Sequence, residues 1–363
     1  MRIIYATNSD FGKHGSIGFR TFHAALEADL RGNLLKIIAR GNEINHINVE
    51  TTGTKFISKC LAGIQQYLFR NWNLQHLNKV IFQKRAIKKL EPCDIFHCYD
   101  YLPDLMQAAK DMGAKVILDT QLGYAKEAEE MIWPTLKKYN MKIQSITDEL
   151  RAVEIADYII CPSEYHKQTF VKHNVPEEKI KIVPQGVDID YFKPIEKKLT
   201  TRPQFLFVGT VEPRKGIGYL MEAFKGMKAD LWVAGRKNKT IKLEDTENIK
   251  FLGQVNNIRD YYNKADIFIL PSLWEGGPKA LYEAAACGLP IITTPNTGPF
   301  FKDRTCGHII PIKDVNALKY SIQHFIDHPM HIRDMGKIAR IIIMDYTWEK
   351  YGNRKNDFYE EIR

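Results

Sequence analysis

The 363-residue chain lacks any apolar run of about eighteen residues, so no transmembrane helix is expected. Its opening, MRIIYATNSDFG, has no long apolar core leading to a small-residue cleavage site. It reads as a buried strand and not as a signal peptide. Cysteine is sparse: Cys60, Cys93, Cys98, Cys161, Cys287 and Cys306 show no CxxC or Cys/His ligand spacing. That argues against a structural zinc site or a disulfide framework and for a reducing, cytoplasmic setting. No low-complexity tract or short-period repeat occurs, and no GxGxxG follows the first strand. Acids vanish over residues 51–90, where eight Lys/Arg are interleaved with Phe56, Tyr67, Phe69, Trp72 and Phe82. In a chain of net charge +9, such a segment suits the anionic inner face of a membrane, or else a solvated helical face. No recognition motif accompanies the charge, so nucleic acid is not an expected partner.

What is present is ordinary in amount and regular in order. Hydrophobic residues at 44% and charged residues at 26% exclude intrinsic disorder, and the length suits two domains. Short apolar runs alternate with helix-like segments: RIIYAT, LLKIIA, DIFHCYD, KVILDT and DYIICPS, then QFLFVGT, DLWVAG, IKFLGQV, DIFILPS and LPIITT. This predicts an α/β protein with parallel sheets and crossover helices. Because the alternation repeats, two Rossmann-like domains are expected. Both series pause in YFKPIEKKLTTRPQ, which gives domains over residues 1–193 and 194–345. Residues 346–363, after a break near Tyr346 and Thr347, are expected to form a helix crossing back to the first domain.

Open parallel sheets bind ligands beyond the C-terminal ends of their strands, which singles out three loops. In EGGPKALYEAAACGLPIITT, Glu275 and Glu283 stand eight positions apart across a loop–helix junction. They cannot hold one atom together, but they can grip two parts of an extended ligand with paired hydroxyls, such as a sugar and a ribose. Gly276, Gly277 and Pro278 would let a phosphate approach the helix start. A capping acid plus a solvent-facing helix acid is the plainer alternative. In FVGTVEPRKGIGYL, Arg214 and Lys215 suit a diphosphate, or form a basic surface loop. In TNSDFGKHGSIGFR, the glycines suit a phosphate or sugar, or an ordinary strand-to-helix turn.

Taken together, these stretches resemble retaining glycosyltransferases of family four, which have the GT-B fold and an E-x(7)-E motif. Similar too are FLGQV…YYNKADIFILPS, ADYIICPSEYHKQTF, KIKIVPQGVDIDYF and MGKIAR…YTWEKY. The resemblance spans most of the chain and is strongest over residues 156–295.

It implies transfer of a hexose, with retention, from a UDP- or GDP-sugar to a glycan or lipid-linked acceptor in surface polysaccharide or lipopolysaccharide synthesis. It implies no metal and no cofactor besides the donor. Glu283 would take the ribose hydroxyls. Glu275, with Gly276, Gly277 and Pro278, would face the donor sugar. Lys215, with Arg214, would neutralise the diphosphate. Gly209, Thr210 and Lys279 complete the donor-binding set, with Val255 near the base and Gly15 or Ser16 reaching the phosphates. Asp188 and Asp190 read as the family's turn after a strand.

Two departures stand out. Thr210 occupies the place of an arginine found in many members, and Gln121 lies near the place of a histidine that faces the reacting sugar. His97 is a candidate for that role or a packed strand-end residue. These departures keep open a degenerate nucleotide- or glycan-binding subunit. A GT-B sugar-nucleotide epimerase is the other alternative.

Overall fold

Neighbouring residues of the first strand enter two different cores: Ile4 and Ala6 pack on one face, Ile3 and Tyr5 on the other. A strand apolar on both faces belongs in a parallel sheet with helices above and below. The computed structural model describes residues 1–13, 17–44, 47–58, 60, 74–137, 146–197, 202–238, 241 and 245–363. Among them, β1 (Ile3–Phe11), β2 (Leu34–Asn42), β3 (Val49–Thr51), β4 (Ile95–Cys98), β5 (Lys115–Asp119), β6 (Tyr158–Cys161) and β7 (Ile180–Ile182) form one sheet. Its order is β3-β2-β1-β4-β5-β6-β7.

A second sheet has the order β10-β9-β8-β11-β12-β13. It is built from β8 (Gln204–Val208), β9 (Asp230–Ala234), β10 (Ile249–Gly253), β11 (Ile267–Leu270), β12 (Ile291–Thr293) and β13 (Gly307–Ile309). Every pairing in both sheets is parallel. Strand order reverses between β1 and β4 and between β8 and β11, which opens a crevice at each point.

The first strand runs further than its sequence suggests. The stretch from Thr7 reads as loop, yet β1 continues to Phe11 through a register shift, pairing Asp10 with Gly41 and Phe11 with Asn42. An ion pair from Arg40 to Asp10, 3.1 Å, holds this extension. The glycine loop therefore begins at Gly12.

The last helix, Trp348–Glu361, sends Tyr351, Phe358 and Tyr359 into the core beneath the first sheet. Thr347 caps its start by accepting from the Lys350 amide. Its buried Lys355 pairs with Asp119 at the end of β5, and Arg20 reaches the other carboxylate oxygen at 2.8 Å. Burial would raise the Asp119 pKa, but the two cations hold it well below the carboxylate range. Earlier in the chain, Arg340 donates to the carbonyls of Ala286, Phe192 and Ile189. It thereby caps the C-terminal end of the helix Lys279–Ala286.

Several cations of residues 51–90 are tied down. Lys79 meets Asp148 at 2.7 Å, Lys89 meets Glu50 at 3.1 Å, Lys55 meets Glu43 at 2.7 Å, and Arg85 donates to the Thr52 carbonyl. Lys84, Lys88 and Phe56 are exposed, while residues 59 and 61–73 lie outside the described set. Among the described residues, no helix is long and apolar enough to cross a membrane.

Candidate active site

The second sheet's crevice brings Glu275, Arg214 and Lys215 together. The turn after β8 is a short 3-10 segment, Pro213–Lys215, which aims both cations at the loop after β11. Lys215 forms an ion pair with Glu275 Oε1, and Arg214 Nη1 lies 3.4 Å from Oε2. Arg214 also donates to Glu212 Oε1, at 2.7 and 3.0 Å, and to the Trp274 carbonyl at 2.7 Å. Ser272 donates to Glu275 Oε1 at 3.1 Å. Burial acts to raise the Glu275 pKa, yet Arg214 and Lys215 outweigh it and keep the group ionised. Gly209 has φ 155°, and an added Cβ would contact the Lys215 stem at 3.4 Å. That contact is an ordinary one, so it is the positive φ that favours glycine there.

The first half of the chain grips the same loop from the opposite side. His166 Nε2 donates to the Glu275 carbonyl at 2.7 Å, while its Nδ1 accepts from Ser163 at 2.7 Å. Burial pushes its pKa down to about 4, so the ring is neutral and its tautomer is fixed by these two bonds. Gln185 Nε2 donates to the carbonyls of Gly276, at 3.0 Å, and Gly277. Trp274 buries beside Ile132 and Leu273, with Met131, Trp133 and Tyr165 around it. A Cβ at Gly276 would fall 1.8 Å from the Gln121 carbonyl oxygen, so only glycine admits this approach. Gln121 thus stands opposite the glycine pair, and its Nε2 is buried without a hydrogen-bond partner among the described residues.

Further along, Pro278 stands at the residue just before the helix Lys279–Ala286, one place earlier than the first-turn position its sequence suggests. Lys279 Nζ lies over two rings, 5.2 Å from Phe19 and 5.6 Å from Trp348. Burial and the Arg20 charge lower its pKa to about 8. One turn on, Glu283 accepts from the Tyr262 hydroxyl at 2.9 Å, and burial raises its pKa despite that bond. Glu283 is therefore partly enclosed and is not a plain solvent-facing acid.

Other sequence candidates are less concentrated. Thr210 is exposed, and Val255 sits past the end of β10. Gly15 and Ser16 lie outside the described residues. His97 is fully buried, with Nδ1 2.7 Å from the Tyr359 hydroxyl and Nε2 3.4 Å from Asp119. Burial and the neighbouring Lys355 lower its pKa to about 4. It is a packed strand-end histidine. Asp188 Oδ1 accepts from the amides of Asp190 and Tyr191, which makes this pair a turn. Sequence reasoning missed His166, Gln185 and Tyr262. Only Ser163, three residues before His166 and capping its helix, offered a local signal.

Two parallel sheets, each with a crevice at its switch point, define a GT-B protein. The chain belongs to the family-four, group 1 glycosyltransferases. The model described as Glycosyltransferase Family 4 matches residues 22–191, and that described as Glycosyl transferases group 1 matches residues 202–328.

An Escherichia coli protein named UDP-Gal:alpha-D-GlcNAc-diphosphoundecaprenol alpha-1,3-galactosyltransferase is 26% identical over 81% of this chain and 82% of its own. Sucrose-phosphate synthase from Thermosynechococcus elongatus superposes with TM-score 0.73 at 16% identity, covering 100% of this chain and 99% of its own. Anabaena Alr3699/HepE, solved in complex with UDP and glucose, gives 0.71 at 15% identity over 99% and 100%. At such identities the solved structures support the fold alone.

Proposed function

We propose that this glycosyltransferase moves a hexose, with retention, from a UDP- or GDP-sugar to a lipid-linked or glycan acceptor during surface polysaccharide synthesis. The observation that carries the donor assignment is the convergence of Lys215, Arg214 and Glu275 between β8 and β11, one loop from Glu283. Glu283 takes the ribose hydroxyls. Gly276, Gly277 and Pro278 admit the diphosphate to the start of the helix Lys279–Ala286, with Lys279 beside it. Glu275 faces the sugar. The printed name of the Escherichia coli relative supports a UDP-hexose donor and a diphosphate-lipid acceptor.

Departure of the nucleoside diphosphate builds negative charge on the phosphate and positive charge on the sugar. Arg214 and Lys215 are placed to stabilise the first, a preorganised electrostatic effect that is usually the largest catalytic term. The two cations supply the countercharge that a divalent metal provides elsewhere, so activity is expected to persist in EDTA. Attack from the leaving group's own face gives retention without a glycosidase-type carboxylate pair. The protein works in the cytoplasm, with the exposed cations of residues 51–90 resting on the anionic inner membrane face.

The test is release of nucleoside diphosphate from a panel of UDP- and GDP-sugars, with and without diphosphate-lipid acceptors, followed by assignment of the product anomer. Lys215→Ala should lower kcat more than it raises KM. Binding without release for every donor and acceptor would replace this reading with that of a binding subunit.

A further inference from the structure

Far along the chain from the cleft loops, four histidines gather that the proposed reaction does not use. His308 lies in β13, His324 in the helix Val315–Asp327, His331 in the helix Pro329–Ile343, and His328 between those helices. The spacings of four and three residues from His324 to His328 to His331 put the imidazoles on one side of the corner. The His324 and His328 rings stack at 4.8 Å, and those of His328 and His331 at 5.3 Å. His324 Nε2 faces His331 Nδ1 at 2.9 Å.

We propose that His324 and His331 chelate a borderline-soft divalent cation, Zn²⁺ or in its place Ni²⁺ or Cu²⁺, with His328 as the third ligand. Two imidazole nitrogens facing each other hold one proton between two lone pairs. The donor ring frees its lone pair by shifting that proton to its other nitrogen, so that both facing nitrogens can take a metal. On a tetrahedral ion with Zn–N bonds of about 2.0–2.1 Å, two such nitrogens stand about 3.3 Å apart. The observed pair has to open by only a few tenths of an ångström.

An all-imidazole set selects these metals over Mg²⁺ and Ca²⁺. His328 Nδ1 now faces the His324 carbonyl at 3.0 Å, so this third ring joins through its other nitrogen after a side-chain rotation. His308 accepts from Arg304 through Nε2 at 2.9 Å, and its ring leans on that of His324 at 4.7 Å and 58°. Glu127, Glu130 and His173 form another convergent group. There, however, the Lys172 ammonium already lies 2.6 and 3.4 Å from the two carboxylates, supplying the charge a metal would bring.

The test is calorimetric titration of the full, tag-free chain with ZnCl₂ in a non-chelating buffer, repeated with NiCl₂. Saturable binding of one ion is expected. His324→Gln and His331→Gln should each weaken it by at least about tenfold, the least that even outer-shell partners command, and His328→Gln by less. These rings are partly exposed, so the variants should keep the parent's circular dichroism. As a second readout, Zn²⁺ should raise the melting temperature of the parent and not that of His331→Gln. No saturable binding by the parent would overturn the site. So would unchanged affinity in His324→Gln, or loss of binding in His173→Gln alone.

Discussion

Glu275 and Lys215 form an ion pair across the switch point of the second sheet, with Arg214 3.4 Å from the other carboxylate oxygen. The acid expected to face the sugar thus holds in place both cations expected to face the diphosphate. Glu275→Gln keeps the shape and removes the charge. Turnover should fall by about a hundredfold or more, as for loss of one preorganised electrostatic group. Glu275→Ala should also cost about 3–5 kcal/mol of stability, because Lys215 loses its buried partner. Steady-state kinetics and urea unfolding of both variants check this.

Glu283 and Lys279, one helical turn apart, should give donor binding opposite pH dependences. The raised pKa of Glu283 means the carboxylate forms as pH climbs, so affinity should rise through that titration. Lys279 loses its charge as pH passes about 8, so affinity should fall there. The resulting bell should lose its alkaline limb in Lys279→Met and its acid limb in Glu283→Gln. Glu283→Ala should weaken donor binding by about 1.5–3 kcal/mol, the range for hydrogen bonds to a charged group. Equilibrium titration with UDP- and GDP-sugars across pH measures each limb.

Gly276→Ala places a methyl group 1.8 Å from the Gln121 carbonyl. The loop must then withdraw from the segment that follows β5. Activity should drop sharply while the circular dichroism spectrum is kept. Leu30, exposed at the end of the helix Ile17–Leu30, serves as the control: Leu30→Ala should leave turnover within about twofold, because surface changes usually stay within ±0.5 kcal/mol.

Acid should weaken the fold before the carboxylates titrate. His97 and His166 are held neutral by burial, with pKa values lowered to about 4. The unfolded chain takes up protons from about pH 6.5 downward, while the native state does not until near 4. Stability therefore falls as pH drops through that window, by about 1.4 kcal/mol per pH unit for each such histidine. His166→Gln should flatten the slope measured by denaturant unfolding at pH 4.5–6.5, a range set by about those two pKa values.

The parallel sheets were legible because strands buried on both faces must be apolar throughout, as in IIYA and DIFIL. The cations at 214 and 215, the glycine pair and the two glutamates were legible as candidates because open parallel sheets bind ligands beyond the C-terminal ends of their strands. Sequence could not extend β1 past Thr7, since polar Asn8, Ser9 and Asp10 look like loop until Asp100 accepts from the Asn8 amide and Arg40 pairs with Asp10. Nor could it separate Glu283 from an exposed helix acid, because Tyr262 reaches it only once the helix Ile258–Lys264 packs.

By itself, the sequence determined the alternation of strand and helix and the chemical groups at the strand ends, because periodicity and backbone freedom are local properties. Only the tertiary structure decided which groups meet. His166 and Gln185 hold the Glu275 loop from about ninety to 110 residues away, and Gln121 presses on Gly276. Lys355 closes on Asp119 from the far end of the chain. Such contacts depend on how two sheets and a returning helix are packed, and no local pattern in the chain encodes that packing.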